Sequence, residues 1–243
     1  LLQSSAASDV YKRQVLDAFD EHNLWEDTML IVNTDHGLLM GEHDWWAKVV
    51  TPFFQEIAHI PFWAYDPRTP DKVDKKSDAL AQTIDLGPTI LDFFNIPLTE
   101  DMQGKPIFDY TSAEKEIRQA SLYGVMGGQV NVTDGEYVYM RANTTEDNKP
   151  LFDYTLMPTH MKNRFKPREL QEWEKVEGFG FMKGCKVMQI PTRTFPIFYS
   201  KDNPLGRGRT ATLLFDVNAD PGQLNPLDDQ AIEMHMIKLM LSL

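Results

Sequence analysis

The sequence has little cysteine, no long apolar run and a shortage of positive charge. Its single cysteine, Cys185, excludes an intrachain disulfide framework. The surrounding Lys183-Gly-Cys-Lys-Val has no obvious base, which favours a structural thiol over a nucleophile. No apolar run approaches the roughly 18 to 20 residues that a membrane span needs, so the sequence predicts no such span.

The acidic balance of the chain limits the partners it can have. Thirty-six acidic residues against 24 Lys and Arg give a formal net charge of −12. This argues against nucleic acid as a partner, because phosphate contacts need clustered Lys and Arg. An anionic substrate would therefore have to be attracted locally. The length of 243 residues and the 42% hydrophobic content are those of an ordinary soluble globular protein with one or two domains.

Residues 1–14 are predicted to be an adapter-derived artefact and not native sequence. Asp9-Val-Tyr-Lys-Arg-Gln14 is the in-frame translation of the transposon-end adapter GAT GTG TAT AAG AGA CAG. The Ser/Ala-rich stretch before it has no core periodicity, so we do not expect these residues to belong to the fold. The native part of the chain is then expected to begin at Val15, inside a longer reading frame.

The chemistry of the sequence is concentrated after a short apolar run. The run from Met29 to Val32 predicts a buried strand, and Asp35, His36 and Gly37 follow its carboxyl end. Functional groups of open α/β sheets gather at such strand ends, and glycine allows the strand to break into a loop there. Taken alone, these three residues are more typical of a turn, in which the aspartate caps a following helix and the histidine lies at the surface, than of a metal site.

Two further residues make a metal and anion site as well supported as a plain turn. His43 and Lys48 lie in the same predicted loop, which then carries a carboxylate, two imidazoles and an ammonium. Together these groups could hold a divalent cation and an anionic substrate. The neighbouring Trp45 and Trp46 are interpreted as packing residues and not as a pocket wall.

These residues belong to a longer pattern that resembles a known family. Thr34-Asp-His-Gly-x-x-x-Gly-Glu-His-x-x-x-x-Lys48, with Pro52, Glu56 and Ile60-Pro-Phe, resembles the second metal-binding block of the sulfatases, members of the alkaline phosphatase superfamily. The likeness runs from about Val15 to the end of the chain and is weakest between residues 150 and 200. Three further segments carry it: Asp85–Pro97 with Met102–Pro106, Val132–Arg141 and Leu214–Leu227.

The resemblance implies an α/β fold. Residues 15–110 would be the carboxyl-terminal part of an alkaline-phosphatase-like sandwich, a mixed sheet flanked by helices. Residues 111–243 would be a small α+β carboxyl-terminal subdomain.

The resemblance also implies roles for the site residues. Asp35 and His36 would be metal ligands, for calcium as in most sulfatases, although a carboxylate beside an imidazole also suits manganese or zinc. Lys48 would bind an ester oxygen and offset charge on the leaving group. His43 would either touch the substrate or brace the loop.

Two family elements are absent from the 243 residues. They are the early pair of aspartate ligands and the Cys/Ser-x-Pro/Ala-x-Arg segment, whose cysteine or serine becomes the formylglycine nucleophile. Family order would place both upstream of Val15. The sequence is thus interpreted as a carboxyl-terminal fragment that is inactive by itself.

The intact parent is expected to be a metal-dependent sulfuric ester hydrolase, acting on a small-molecule or carbohydrate sulfate ester. Two alternatives stay open. One is a phosphonate monoester hydrolase or phosphodiesterase of the same superfamily, and the other is a catalytically dead binding relative.

Apolar periodicity predicts the remaining elements. Thr133-Asp-Gly135 predicts a hairpin between two strands, and Thr83 and Asp85 are assigned to a solvated helix face. The predicted helices are Val15–Trp25, Ser77–Phe94 (ended by Asn95), Glu169–Val176 and 228–243. The predicted strands are Met29–Thr34, Ile60–Tyr65, Ser121–Met126, Val130–Val132, Tyr137–Arg141 and Leu213–Val217.

Overall fold

The structure is a computed structural model. It describes residues 2–48, 52–70, 76–108, 117–145, 148–157, 159–160, 162–192 and 211–243. The chain divides into two compact units, of which the first comprises Leu1–Asp35 with Pro61–Ser77 and the second His36–Ile60 with Asp78–Leu243. The predicted domain boundary near residue 110 falls at 109–116, outside the described residues, and stays a prediction.

The described ranges form four α-helices and eleven β-strands. The helices are α1 (Leu2–Glu21), α2 (Gln55–Ala58), α3 (Leu86–Phe93) and α4 (Gln230–Ser242). The strands are β1 (Leu30–Asn33), β2 (Leu39–Met40), β3 (Trp46–Ala47), β4 (Phe62–Tyr65), β5 (Ser121–Gly124), β6 (Val130–Thr133), β7 (Tyr137–Arg141), β8 (Phe152–Thr155), β9 (Glu174–Val176), β10 (Val187–Pro191) and β11 (Leu213–Asp216). No described helix is long and apolar enough to cross a membrane.

The first unit is built around α1 and an antiparallel pair of strands. β1 pairs with β4, with Leu30 opposite Tyr65, so the two predicted strands are confirmed. The predicted helix ends earlier than expected, at Glu21, and α1 includes residues 2–14, which the sequence analysis had set aside. Of its predicted apolar stripe Phe19 is buried against Trp25, whereas Val15 and Leu16 are exposed.

The core of the second unit lies on both faces of a four-stranded sheet with the order β11-β7-β6-β5. The hairpin between β6 and β7 is confirmed: the Asp134 carboxylate accepts hydrogen bonds from the amides of Glu136 and Tyr137 at 3.0 and 2.7 Å. Because successive strand residues face opposite sides, two clusters form. One consists of Ala120, Val132, Tyr139, Leu214 and Met236, and the other of Phe54, Val138, Met140 and Phe215.

Helix α4 covers the first of these clusters, as its periodicity predicts. Met236 is fully buried there, and Ile232, Leu239 and Met240 pack around it. The helix begins after Asp229, whose carboxylate accepts hydrogen bonds from the amides of two residues of the first turn. Such a cap satisfies amides that no helical carbonyl can reach.

The predicted helix from Ser77 to Phe94 is wrong in its first half. Helix α3 begins only at Leu86, after a 3₁₀ turn over Thr83–Asp85. Its end is as predicted, since Asn95 has a left-handed φ of 54° just beyond it. The apolar spacing also predicts a buried stripe of Leu80, Ile84, Leu86, Ile90, Leu91 and Phe94. This is wrong for Ile84, Ile90 and Phe94, which are exposed.

Asp85, predicted to lie on a solvated face, is completely buried. Its carboxylate accepts the amides of Gln82 at 2.7 Å and Lys105 at 2.9 Å, and it is paired with the guanidinium of Arg118. The hydroxyl of the buried Thr89 donates to the Asp85 carbonyl at 2.6 Å. A buried carboxylate needs such partners, and together they join α3 to the loop 104–107 and to the segment before β5.

The predicted helix over Glu169–Val176 is wrong. A 3₁₀ turn covers Pro167–Leu170, and the remainder becomes β9. β9 pairs with β10 in a three-stranded sheet of order β8-β10-β9, with Val176 opposite Val187. Long-range pairing therefore overrides the local helical preference of this segment.

Candidate active-site loop

The loop after β1 contains a small hairpin that returns the chain to its starting point. β2 and β3 pair antiparallel, with Leu39 opposite Ala47, so the next residue, Lys48, arrives beside the start of the loop. The turn is tight because Gly41, His43 and Asp44 all have positive φ, at 125°, 53° and 58°. The Gly41 amide donates to the Trp45 carbonyl at 2.9 Å and closes the turn.

Gly37 allows a close backbone approach at the start of this loop. Its amide donates to the carbonyl of Ile57 at 2.9 Å. A Cβ at this position would lie 1.7 Å from the carbonyl oxygen of Glu56, so no larger residue fits without movement of the backbone. The glycine predicted to release the strand into a loop therefore also fixes where the segment 54–57 packs.

His36 and Lys48 are in direct contact. The Nε2 atom of His36 faces the Lys48 ammonium, while its Nδ1 atom lies 2.8 Å from the carbonyl oxygen of Gly37. A carbonyl can only accept, so Nδ1 carries the proton and Nε2 offers its lone pair to the lysine. The imidazole is thus held as the tautomer whose Nε2 lone pair points towards a cation.

His43 lies inside the loop and not at its surface. Its side chain is only 5% exposed, and its ring stacks on Phe54 with a centroid distance of 3.5 Å. Nε2 of His43 is 3.6 Å from the Glu56 carboxylate, within ion-pair range but beyond a hydrogen bond. Neither of these two buried atoms has a hydrogen-bond partner among the described residues.

Asp35 is the last residue of the first unit and is exposed. The Thr34 hydroxyl donates to its carboxylate at 3.4 Å. His36 follows it directly in the chain, as the first residue of the second unit. Within the described ranges, no cluster of three or more His, Cys, Asp or Glu side chains forms a complete metal site.

One expectation about a neighbouring side chain is wrong. Trp46, interpreted as packing, is 66% exposed in β3. Cys185, interpreted as a structural thiol, is exposed in the turn before β10.

One buried support of the loop was missed by the sequence analysis. The Gln223 side chain accepts a hydrogen bond from the Gln55 amide at 2.7 Å, and Gln223 is 3% exposed. Phe54, which precedes Gln55 in the chain, packs edge-on against Phe215 of β11. The only sequence signal was the turn Asp220-Pro-Gly, which places Gln223 after β11.

A family model matches residues 41–176 of this chain, more than half of its length: the family described as N-sulphoglucosamine sulphohydrolase, C-terminal. The matched range begins inside the hairpin that leads to Lys48. It includes α3, the Asp85 network and the strands β5 to β9.

Curated relatives give the same family. The chain is 31% identical over 111 residues to an arylsulfatase of Clostridium perfringens, which covers 45% of this chain and 23% of that protein. It is 28% identical over 172 residues to arylsulfatase K of Rattus norvegicus, covering 65% of this chain and 30% of that one. It thus spans less than a third of either relative.

Solved structures share the fold. One, a complex with its substrate D-glucosamine-2-N,6-O-disulfate, superposes with a TM-score of 0.58 at 15% identity, covering 94% of this chain and 36% of the other. A second, from a glycosaminoglycan-metabolism locus of Bacteroides thetaiotaomicron, gives 0.55 at 20% identity, covering 97% and 40%. The α/β fold expected from the resemblance is confirmed. The chain belongs to the sulfatases, in the family of the N-sulphoglucosamine sulphohydrolase carboxyl-terminal region.

Proposed function

We propose that this chain supplies the metal-ligand and leaving-group side of a sulfuric ester hydrolase that cleaves sulfate monoesters. Asp35 and His36 would hold the metal, and Lys48 would bind the substrate. The observation that carries the proposal is the contact between His36 and Lys48. It brings an acceptor nitrogen and an ammonium to one point of the loop.

The fixed tautomer of His36 supports its role as a ligand. Metal-binding histidines usually donate their second ring N–H to a carbonyl or carboxylate, which fixes the ring and raises the basicity of the ligating nitrogen. For His36, the Gly37 carbonyl accepts this hydrogen bond from the second ring N–H. Nε2 remains with its lone pair directed at a positive charge, the environment that a metal would provide.

The donor set favours a hard or borderline cation. Asp35 offers carboxylate oxygens and His36 an imidazole nitrogen, which suits calcium, manganese or zinc. When bound, a divalent cation there supplies Lewis-acid polarisation of a sulfate oxygen. Further ligands and the formylglycine nucleophile, which the family resemblance implies, would come from outside the described residues.

Lys48 is suited to hold charge and not to move a proton. It is exposed, and the hairpin ladder fixes its backbone beside the ligand loop. An ammonium aimed at the bridging oxygen of a sulfate ester would offset the negative charge that develops there as the S–O bond breaks. The lysine would then matter most for esters with poor leaving groups.

His43 is proposed as a brace of this loop and not as a substrate contact. The stacking on Phe54 supports this role, because a side chain that is only 5% exposed has little surface to offer a ligand. It holds the hairpin that precedes Lys48 against the segment that packs on Gly37.

Sulfated carbohydrates are the proposed substrate class. A Bacteroides thetaiotaomicron relative, 29% identical over 87 residues, is an N-acetylglucosamine-6-O-sulfatase, and one structural neighbour binds a disulfated glucosamine. Which sugar and which ester position are cleaved would depend on pocket residues beyond the loop described above.

The activity is tested with the whole reading frame that encodes this chain. Aryl sulfates with leaving groups of graded pKa are assayed with the wild type, Lys48→Ala and Lys175→Ala, an exposed lysine of β9. We expect Lys48→Ala to reduce kcat/KM by about 10²-fold or more, and most for the poorest leaving groups. Lys175→Ala should keep wild-type rates.

Other outcomes of this assay decide between the alternatives. Faster cleavage of a phenylphosphonate monoester than of the matched sulfate would assign the phosphonate hydrolase function instead. If the protein binds a sulfated sugar but hydrolyses neither ester class, it is a catalytically dead binding relative. Equal rates for Lys48→Ala and wild type would remove Lys48 from the proposal.

The metal role is tested on the 243-residue chain by calorimetry with Ca²⁺, Mn²⁺ and Zn²⁺. With only two proposed ligands in the chain we expect weak binding and no hydrolysis of nitrophenyl sulfate. Asp35→Asn and His36→Ala should each weaken the binding further, whereas His59→Ala, an exposed histidine outside the loop, should not. Equal affinities for all four proteins would contradict the assignment.

A further inference from the structure

A second charged feature lies away from the active-site loop, in the segment before β9. Every second position from 160 to 168 carries a basic side chain, and we call these five residues, His160, Lys162, Arg164, Lys166 and Arg168, the basic stripe. Four of the 24 Lys and Arg residues of an otherwise acidic chain are thus gathered within seven positions. The net charge of the chain gives no sign of this local cluster.

The stripe is held in a defined turn. Thr159 and Arg164 form an antiparallel bridge, and the His160 amide donates to the Asn163 carbonyl at 2.7 Å. Glu169 then ties the two ends together: one carboxylate oxygen accepts the Lys166 amide at 2.5 Å, and the other lies 2.9 Å from Nε2 of His160. These contacts fix the backbone at Arg164 and Lys166 and the ring of His160.

The positive charge of the stripe is largely unneutralised within the described chain. The side chains of Lys162, Arg164, Lys166 and Arg168 are all exposed. Lys162, Arg164 and Arg168 form no ion pair with any described residue, and Glu169, the nearest acid in sequence, is engaged by His160 and a backbone amide. Elsewhere exposed lysines form ion pairs with acidic side chains, as Lys183 does with Asp101 at 3.1 Å.

Such a cluster attracts an anionic polymer, because several exposed cations at short spacing act together and release counterions on binding. Lys- and Arg-rich segments of five to eight residues are typical of nucleic-acid or heparin patches. Binding of single-stranded nucleic acid also needs exposed aromatic rings on which bases stack. Phe165, the aromatic residue inside the stripe, packs instead against His160 with a centroid distance of 4.0 Å.

We propose that the basic stripe binds a sulfated polysaccharide and so keeps a polymeric substrate on the protein. The choice of a sulfated glycan over nucleic acid rests in part on the proposed sulfatase function. The stripe takes no part in the chemistry, and its removal should leave the cleavage of small aryl sulfates unchanged.

The test is binding of the 243-residue chain to heparin, measured by calorimetry and by elution from heparin resin in the presence of EDTA. Neither readout needs a metal or turnover, so a failed hydrolase assay and a failed binding assay are distinct results. The probes are heparin, desulfated heparin and a single-stranded oligonucleotide of similar length.

Two triple variants that lose the same charge distinguish heparin binding at the stripe from a general effect of net charge. The first is Lys162→Gln/Arg164→Gln/Arg168→Gln, and the control is Lys12→Gln/Arg13→Gln/Lys238→Gln, three exposed cations of α1 and α4. We expect the first to weaken heparin binding at least tenfold and the control less than twofold. Three lost contacts should also reduce the magnitude of the log–log salt slope by about 2, at roughly 0.7 per contact.

Specific results would overturn the proposal. These are equal heparin affinities for the two triple variants, undiminished binding to desulfated heparin, or an oligonucleotide affinity that matches or exceeds that for heparin. If the triple variant does not fold, Lys162→Gln alone should still weaken binding by more than any single substitution of the control set.

Discussion

The imidazole of His43 lies parallel to the phenyl ring of Phe54, with ring centroids 3.5 Å apart and planes inclined by 7°. Phe54 in turn meets Phe215 edge-on at 6.3 Å, inside one of the two cores of the second unit. The imidazole of His43 therefore links the hairpin that precedes Lys48 to the four-stranded sheet.

This attachment predicts how His43 variants behave. His43→Ala removes the buried ring and should lower the free energy of unfolding by about 2 kcal/mol or more, as for other truncated core rings. His43→Phe keeps the stacking and should stay within about 1.5 kcal/mol of the wild type. Urea unfolding of the chain measures both. If the two variants lost the same stability, the stacked ring would not be the support that the geometry indicates.

The same substitution is expected to have different effects at Gly37 and Gly87. In Gly37→Ala the new Cβ would overlap the Glu56 carbonyl, so the backbone must move and we expect a loss of about 2 kcal/mol or more. In Gly87→Ala, in the first turn of α3, the new Cβ meets no atom within 4 Å apart from its chain neighbours, but the Cβ of a residue before proline is disfavoured in a helix, so we expect no gain and a loss well below that of Gly37→Ala. Thermal unfolding of both variants against wild type tests this, and a stable Gly37→Ala would contradict the close approach.

Short stretches of the sequence correctly predicted a strand, a hairpin and the end of a helix. The apolar run before Asp35 gave β1, and Thr133-Asp-Gly135 gave the hairpin between β6 and β7. Asn95 marked the end of α3. In each case a few adjacent residues determine the backbone, by burial periodicity or by a favoured turn conformation.

The parts that could not be predicted depend on partners far away in sequence. The Asp85 carboxylate is buried because Arg118, 33 residues later, pairs with it. Glu174–Val176 becomes a strand because β10 lies beside it. The sequence places His36, His43 and Lys48 in one loop. It does not show that Lys48 contacts His36 while His43 is buried, because these positions depend on the pairing of β2 with β3.

The buried ion pair of Asp85 predicts a large loss of stability when it is broken. Asp85→Ala removes the acceptor of two amides and leaves the Arg118 guanidinium without its carboxylate in a largely buried place. Breaking a buried pair in this way costs about 3 to 5 kcal/mol. Glu100→Gln, at an exposed position, should change stability by no more than about 0.5 kcal/mol. Urea unfolding of both variants makes the comparison, and a mild Asp85→Ala would show that the network is not a principal support of α3.

Glu169 predicts a pH-dependent change in the turn of the basic stripe. The Lys166 amide, and after it His160, hold the pKa of the Glu169 carboxyl below its ordinary value near 4.5. The folded turn therefore binds fewer protons than the unfolded chain. Its stabilisation is complete above pH 4.5 and is lost as the pH falls through the lowered pKa. NMR titration of the Glu169 carboxyl carbon should give a midpoint below 4.5, with faster hydrogen exchange at the Lys166 amide below it.

Two variants test which of the two contacts lowers the Glu169 pKa more. Lys166→Pro removes the amide donor without straining the backbone, because Lys166 already has a φ of −74°. His160→Ala removes the weaker contact and keeps the amide. The Glu169 pKa should therefore rise towards its ordinary value in Lys166→Pro and remain lowered in His160→Ala. The reverse order would mean that the imidazole, and not the backbone, fixes the carboxylate.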